Sequence, residues 1–197
     1  MKKYTITITR QFGSLGRPIA KKMSEILGIE YYDREIVDEA AKKIKLPVST
    51  VSNQEEIARS NFFYMKLPLG NNTSDIQDHI FDVQRKIITE LAEKESCIIV
   101  GRCADYILQD KENLMNIYIY APYENRFLNC VEYLHMKQDV ARKMIYEVDK
   151  ARAAYQMRYA KYLPEDINHR NILIDSSFMG IDATAEYLAQ MVKIKFE

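Results

Sequence analysis

The sequence predicts a three-layer α/β fold, a parallel sheet covered by helices on both faces. Three observations lead there. Short β-branched or apolar runs recur along the chain and alternate with segments of helical period. Cys97-Ile98-Ile99-Val100 is continuously apolar, as expected of a strand buried on both faces. The N-terminal stretch to Gly28 reads as strand, glycine-bearing loop and helix, the opening of a parallel crossover.

Tyr4 to Thr9 alternates with period two and is rich in Thr and Ile, which predicts a strand. After the loop Arg10–Arg17, the residues Ile19, Ala20, Met23, Ile26 and Leu27 mark one helix face. Pro18 suits that helix's first turn and Gly28 its left-handed C-terminal cap. Ile29 to Tyr32 reads as a short second strand. From Asp33 a helix carries Ile36, Val37, Ala40, Ala41 and Ile44 on one side. Residues 45–73 hold no long period but contain Pro47, Pro68 and Gly70-Asn71-Asn72-Thr73; they read as an insertion or substrate-side lid. Ser74-Asp75-Ile76-Gln77 has the form of a capping box, followed by Ile76, Ile80, Val83, Ile87 and Leu91 at helical spacing. Met115 to Tyr120 is a strand, and Pro122 opens a helix. A long helix spans roughly 138–160, with Val140, Met144, Val148, Ala151 and Tyr155 inward. Ile172 to Asp175 completes the strands, and Ile181 to Val192 forms the last helix.

The 197 residues, 47% of them apolar, suit one domain with a buried core. Lys+Arg and Asp+Glu each number 28, so the net charge is zero, which argues against a dedicated DNA or RNA binder. No apolar run reaches the ~18–20 residues of a membrane span. Met1-Lys2-Lys3-Tyr4 enters a strand without an apolar leader, and the three cysteines (Cys97, Cys103, Cys130) show no metal-binding or disulfide spacing. The expected location is cytoplasmic, with reduced thiols and no protein-held metal.

Gly13-Ser14-Leu15-Gly16-Arg17, between a strand and a helix, has the form of an anion cradle: backbone N–H groups, a positive helix end and a cation. It matches half of the G-x-x-x-x-G-K-[ST] pattern, with Gln11 at the first glycine, Arg17 for the lysine and Pro18 for the Ser/Thr. A tight turn without a ligand fits the same residues.

In order and spacing, the chain resembles the cytidylate kinase-like family of P-loop nucleotide kinases. The resemblance rests on Ile6 to Arg17, Tyr31-Tyr32-Asp33, Ile98 to Arg102, Asn116 to Pro122, Asp149-Lys150-Ala151-Arg152 and Asn171 to Ser177. It covers nearly everything outside 45–73. It implies a P-loop NTPase-type fold with a five-stranded parallel sheet and a helical lid. It also implies an ATP-dependent phosphotransferase acting on a nucleoside monophosphate or related small acceptor. A non-catalytic nucleotide- or anion-binding protein, and a kinase for a non-nucleotide small molecule, are the competing readings.

By the same resemblance, Gly13, Ser14, Leu15, Gly16 and Arg17 bind the nucleotide phosphates. Asp33, Arg102, Asp149 and Arg152 bind the acceptor, and Arg17, Arg152 and Asp149 serve catalysis, with Arg158 a further cation for the transferring charge. Asp33 is equally a helix N-cap by its position, and Asp149 with Arg152 equally a surface ion pair. Residues 137–161 contain seven Lys/Arg and three acids, net +4, as a lid closing on phosphates would. Cys103 stands where the family has an acid that reads cytosine, and Ile145 where it has a further arginine. The expected cofactors are ATP and Mg²⁺; with no hydroxyl at Pro18, Mg²⁺ would lean on nucleotide phosphates, water and a carboxylate such as Asp33 or Asp149. Phe62-Phe63-Tyr64-Met65 has two roles open to it: pairing two copies as a homodimer, or forming the core of 45–73.

Overall fold

The computed structural model describes residues 3–44 and 73–196, so Phe62 to Met65 and nearly all of 45–73 lie outside the described residues. Five strands form one all-parallel sheet in the order β2-β3-β1-β4-β5. They are β1 (Thr5–Arg10), β2 (Glu30–Tyr32), β3 (Cys97–Val100), β4 (Leu114–Tyr120) and β5 (Ile172–Asp175). The central strand β1 pairs with β3 (Ile8 opposite Val100) and with β4 (Arg10 opposite Ile119). Because all strands run the same way, their C-terminal ends, and the loops leaving them, share one edge of the sheet.

Alternate residues of the strands face opposite layers. Ile6, Ile8, Ile98, Val100, Ile117 and Ile119 meet α1 (Gly16–Leu27) and α7 (Ser176–Phe196) through Ile19, Met23, Leu188 and Val192. Cys97 and Ile99 meet Ile36 of α2 (Arg34–Ile44), Ile80, Ile87 and Ile88 of α3 (Thr73–Lys94), and Ala104 of α4 (Ala104–Ile107). Burying each such side chain stabilises the fold by about 1.5–3 kcal/mol. The threonines of β1 are buried too, since both faces are covered; Thr7 donates to Asn116 Oδ1 at 2.6 Å. The period-two pattern there separates two buried environments, not core from solvent.

Helix α1 ends as its sequence dictates, at Gly28 with φ 63°. Thr73 is already helical, so Ser74 lies inside α3 (Thr73–Lys94). Pro122 directly precedes α5 (Tyr123–Leu128), which runs into a π-helical turn, Asn129–Tyr133. The basic segment forms α6 (Gln138–Tyr159). Its inward stripe is Ala141, Met144, Ile145, Val148 and Gln156, and Val140 is exposed. The stripe lies one residue on from the expected start because Ala141, Met144, Ile145 and Val148 make a continuous i, i+3, i+4 set against Phe12, Cys130 and Met136. At its far end, Tyr155 and Tyr159 pack on Phe81 of α3. Gly180, at φ 75°, breaks α7, so its regular part begins at the expected Ile181. Among the described residues, no helix is long and apolar enough to cross a membrane.

Candidate active site

The glycine loop leaves the end of β1 at the centre of the sheet edge, where open parallel sheets bind ligands. Gly13 sits at φ 78°, and a Cβ there would lie 2.7 Å from the Arg126 carbonyl oxygen. Only glycine meets both demands. Ser14 is fully buried; its hydroxyl lies 2.9 and 3.1 Å from the Gln11 and Ile119 carbonyls, its one proton shared between them, and its amide donates to the Gln11 carbonyl at 3.4 Å. Ser14 therefore holds the loop's shape and turns neither group outward. Leu15, at φ 58°, is the left-handed entry to α1, whose first-turn amides at Gly16 and Arg17 carry the helix's positive end. A cavity of about 550 Å³ opens over this loop, walled on the far side by Leu134, Met136, Val140 and Met144.

Asp33 gathers the cations. Its carboxylate, buried just past the end of β2, accepts Arg17 Nη2 at 3.4 Å and lies 2.5 Å from Arg17 Nε, with Arg10 at 3.9 Å and Arg102 at 4.0 Å. The Tyr31 hydroxyl donates to it at 3.5 Å. Three guanidiniums thus converge on one carboxylate. Arg102 sits within a strained turn in which Gly101, Arg102 and Cys103 all have positive φ, uncommon for non-glycine residues. Burial lowers its pKa to about 10; Asp33 opposes this, while Arg10 and Arg17 push it further down.

Asp149 and Arg152 of α6 both reach the loop, but not as a pair with each other. Asp149 Oδ1 accepts the Phe12 N–H at 2.7 Å and Oδ2 accepts Arg126 Nη1, which also donates to the Phe12 carbonyl. Arg152 Nη1 donates to the Arg10 carbonyl at 3.1 Å. The alternative of an exposed Asp149–Arg152 pair does not describe these contacts. Arg158 does not join them: it bonds Asp78 of α3 at 2.8 Å on the outer surface. Ile145 is buried apolar packing.

The reading of the residues missed Arg10, Arg126 and Asp105. Arg10 opens the loop that follows the first strand pattern, outside the anion-cradle residues Gly13 to Arg17, and nothing local marks it as a site residue. Asp105, two residues beyond Cys103, supplies a buried carboxylate. It accepts Arg170 Nη1 at 2.5 Å, Gln156 Nε2 at 2.8 Å and the Tyr162 hydroxyl at 2.9 Å. Cys103 donates to Gln156 Oε1 at 3.2 Å, and burial raises its thiol far above the usual range. It is a buried thiol, not a nucleophile.

A glycine loop on the central strand of a parallel sheet, opening a helix and ringed by arginines, defines a P-loop kinase-type protein. Over residues 5–178 the chain matches the cytidylate kinase-like family, and it belongs to that family. Its fold is similar to an uncharacterized protein from Eubacterium ventriosum (24% identity, TM-score 0.72, covering 97% of this chain and 99% of that one). It is also similar to shikimate kinase from Acinetobacter baumannii in complex with shikimate (11%, 0.53, 100% and 97%). Shikimate kinase from Bacteroides thetaiotaomicron is a third (11%, 0.57, 96% and 98%). No curated protein matches the chain.

Proposed function

We propose that the chain is an ATP-dependent phosphotransferase whose acceptor is a nucleoside monophosphate or a related small anion, working as one unit with 137–161 as its lid. The convergence of Arg10, Arg17 and Arg102 on Asp33, beside the glycine loop, is the observation that supports it. The planar forks of the guanidinium groups match the geometry of oxyanions, so such a cluster suits an anionic ligand. Phosphoryl transfer asks the protein mainly for positioning and positive charge. In this reading the backbone amides of Gly13, Leu15, Gly16 and Arg17 cradle the donor phosphates, and Ser14 holds the loop's shape from behind. Arg102 and Arg17 hold the acceptor's anion from the β2–β3 side. Arg152, tethered to the Arg10 carbonyl, stands between the two and faces the charge that develops during transfer.

P-loop kinases generally use ATP and Mg²⁺. The loop's glycines and helix end fit the phosphates. Mg²⁺ does not fit the residues as they are placed: Pro18 has no hydroxyl, Asp33 is held by Arg17, and Asp149 by Phe12 N–H and Arg126. No step is assigned to the metal.

One observation favours the non-catalytic reading. The Asp149 carboxylate already occupies a loop amide, as an anion would. ADP release from ATP, measured with CMP, dCMP, UMP, AMP and shikimate, separates the readings. Turnover with a monophosphate, and an acceptor KM raised at least about tenfold by Arg102→Ala, would bear the proposal out. ATP binding without transfer to any acceptor would leave the non-catalytic reading. Turnover with shikimate alone would move the acceptor outside the nucleotides.

A further inference from the structure

The sheet face that carries Cys97 and Ile99 is covered unevenly. Among the described residues, the layer of α2, α3 and α4 packs on β3 and takes in β4 only at Leu114, its first residue. Toward the other end of β4 the same face carries Tyr118 and Tyr120, with Leu173 of β5 opposite Tyr118. There α6 and the segment before β5 enclose a cavity of about 600 Å³, bordered also by Tyr146, Lys150 and Glu165. It touches the glycine loop at Gln11, short of Gly13–Arg17, and none of Arg17, Asp33 and Arg102 lines it.

The tyrosines divide into two kinds. Tyr120 and Tyr146 are 37% and 68% exposed, so each has ring surface to offer. Tyr118 is 5% exposed, and its hydroxyl makes no hydrogen bond among the described residues. Burial, then the Glu165 and Asp149 carboxylates, raise its pKa above the usual tyrosine range, so it stays a donor beside the cavity. Asp149 is taken by the Phe12 N–H and Arg126. Glu165, by contrast, makes no hydrogen bond or ion pair among the described residues. A nearly buried phenol left without a partner costs stability, and a ligand in this cavity would supply the partner.

We propose that this cavity is a base-binding cleft, taking a planar nitrogen heterocycle, as in a nucleoside, against the Tyr120 and Tyr146 rings with its edge toward the Tyr118 hydroxyl and Glu165. An aromatic ring gives any base a π-face to stack on. The phenol donates to a ring nitrogen, and the carboxylate accepts a ring or exocyclic N–H. A hydrocarbon of the same size would leave both polar groups unpaired, and a sugar is not planar. The volume lies within the roughly 300–1,000 Å³ of small-molecule sites. This site does not depend on the phosphotransferase reading, because its ligand needs no phosphate.

The test is calorimetric titration of the full chain with adenosine, cytidine and ribose, alone and with tripolyphosphate or ATP present. At least one nucleoside should bind where ribose does not. Tripolyphosphate, which carries no base, should leave that affinity unchanged. Tyr146→Ala, at an exposed ring, should weaken nucleoside binding about tenfold. Tyr118→Phe removes one hydroxyl and keeps the ring; it and Glu165→Gln should each weaken binding severalfold. Binding of neither nucleoside, or unchanged affinity in the folded variants, overturns the proposal. Displacement by tripolyphosphate overturns it too, since the nucleoside then lies on the glycine loop. ATP identifies the source: displacement by ATP alone makes its own base the occupant, and undisturbed binding makes it a free nucleoside. Nucleoside binding in a protein that takes neither ATP nor tripolyphosphate would keep this site and remove the phosphotransferase reading. ATP turnover with no nucleoside bound would do the reverse.

Discussion

Replacing Arg170 with Met removes one member of an ion pair whose side chains are 0% and 1% exposed. Arg170 Nη1 meets Asp105 Oδ2 at 2.5 Å, and Arg170 Nε donates to the Pro164 carbonyl at 2.8 Å. The charge left behind on Asp105 would keep only the neutral donors Gln156 and Tyr162. Breaking a buried pair from one side costs about 3–5 kcal/mol, because the remaining charge stays desolvated. For a chain of this size that corresponds to a fall in Tm of roughly 6–20 °C. With an m-value near 2 kcal/mol/M, the urea midpoint falls by roughly 2 M. The chain has no Trp, so far-UV circular dichroism is the suitable probe. Asp105→Leu combined with Arg170→Met should recover at least half of the loss, since no orphan charge remains. A single variant within about 1 kcal/mol of wild type, or a double variant no better than the single, would refute the argument that a buried charge sets the cost. The same network ties Gln156 of α6 to the turn behind Arg102, so the acceptor KM should rise as well.

Gly13→Ala should cost about 1–3 kcal/mol of stability, from its φ of 78° and the Arg126 carbonyl 2.7 Å away, and should weaken ATP binding; urea unfolding and ATP titration check both. Arg17→Ala should cost about 2–4 kcal/mol in kcat/KM, and Arg17→Lys should restore little of it. The reason is that Arg17 meets both Asp33 oxygens, Nη2 donating to Oδ1 at 3.4 Å and Nε lying 2.5 Å from Oδ2, a spread that a single ammonium lacks; steady-state kinetics on both variants decide. Burial raises the Cys97 and Cys130 thiols from 9.0 to about 11. Between those values the unfolded chain has lost protons that the folded chain retains, so stability should fall as pH rises from 9 to 11. Urea midpoints across that range should drop, and less steeply in Cys97→Ala.

The order of strands and helices and the glycine loop were legible in the sequence through local signatures: period, β-branching, and glycine where φ is positive. The α/β class followed from that succession alone. Arg102, Asp149 and Arg152 were singled out by the family resemblance and not by a local signature. The partners of the charged groups were not legible. Asp149 binds the amide of Phe12, 137 residues away, where i, i+3 spacing suggests Arg152. Arg158 is drawn to Asp78 on another helix, away from the loop. Arg10 reads as the first residue of the loop, and only the folded chain shows its side chain close against Gly16 and Gly101, with its head near Asp33. Asp105 carries no local signal in the sequence, and its role appears only where Arg170, Gln156 and Tyr162 close around it. The physical reason is the same in each case. Backbone preferences act over a few residues, so they are written locally. The pairing of buried charges depends on which strand ends a parallel sheet brings to one edge, and only the folded chain determines that.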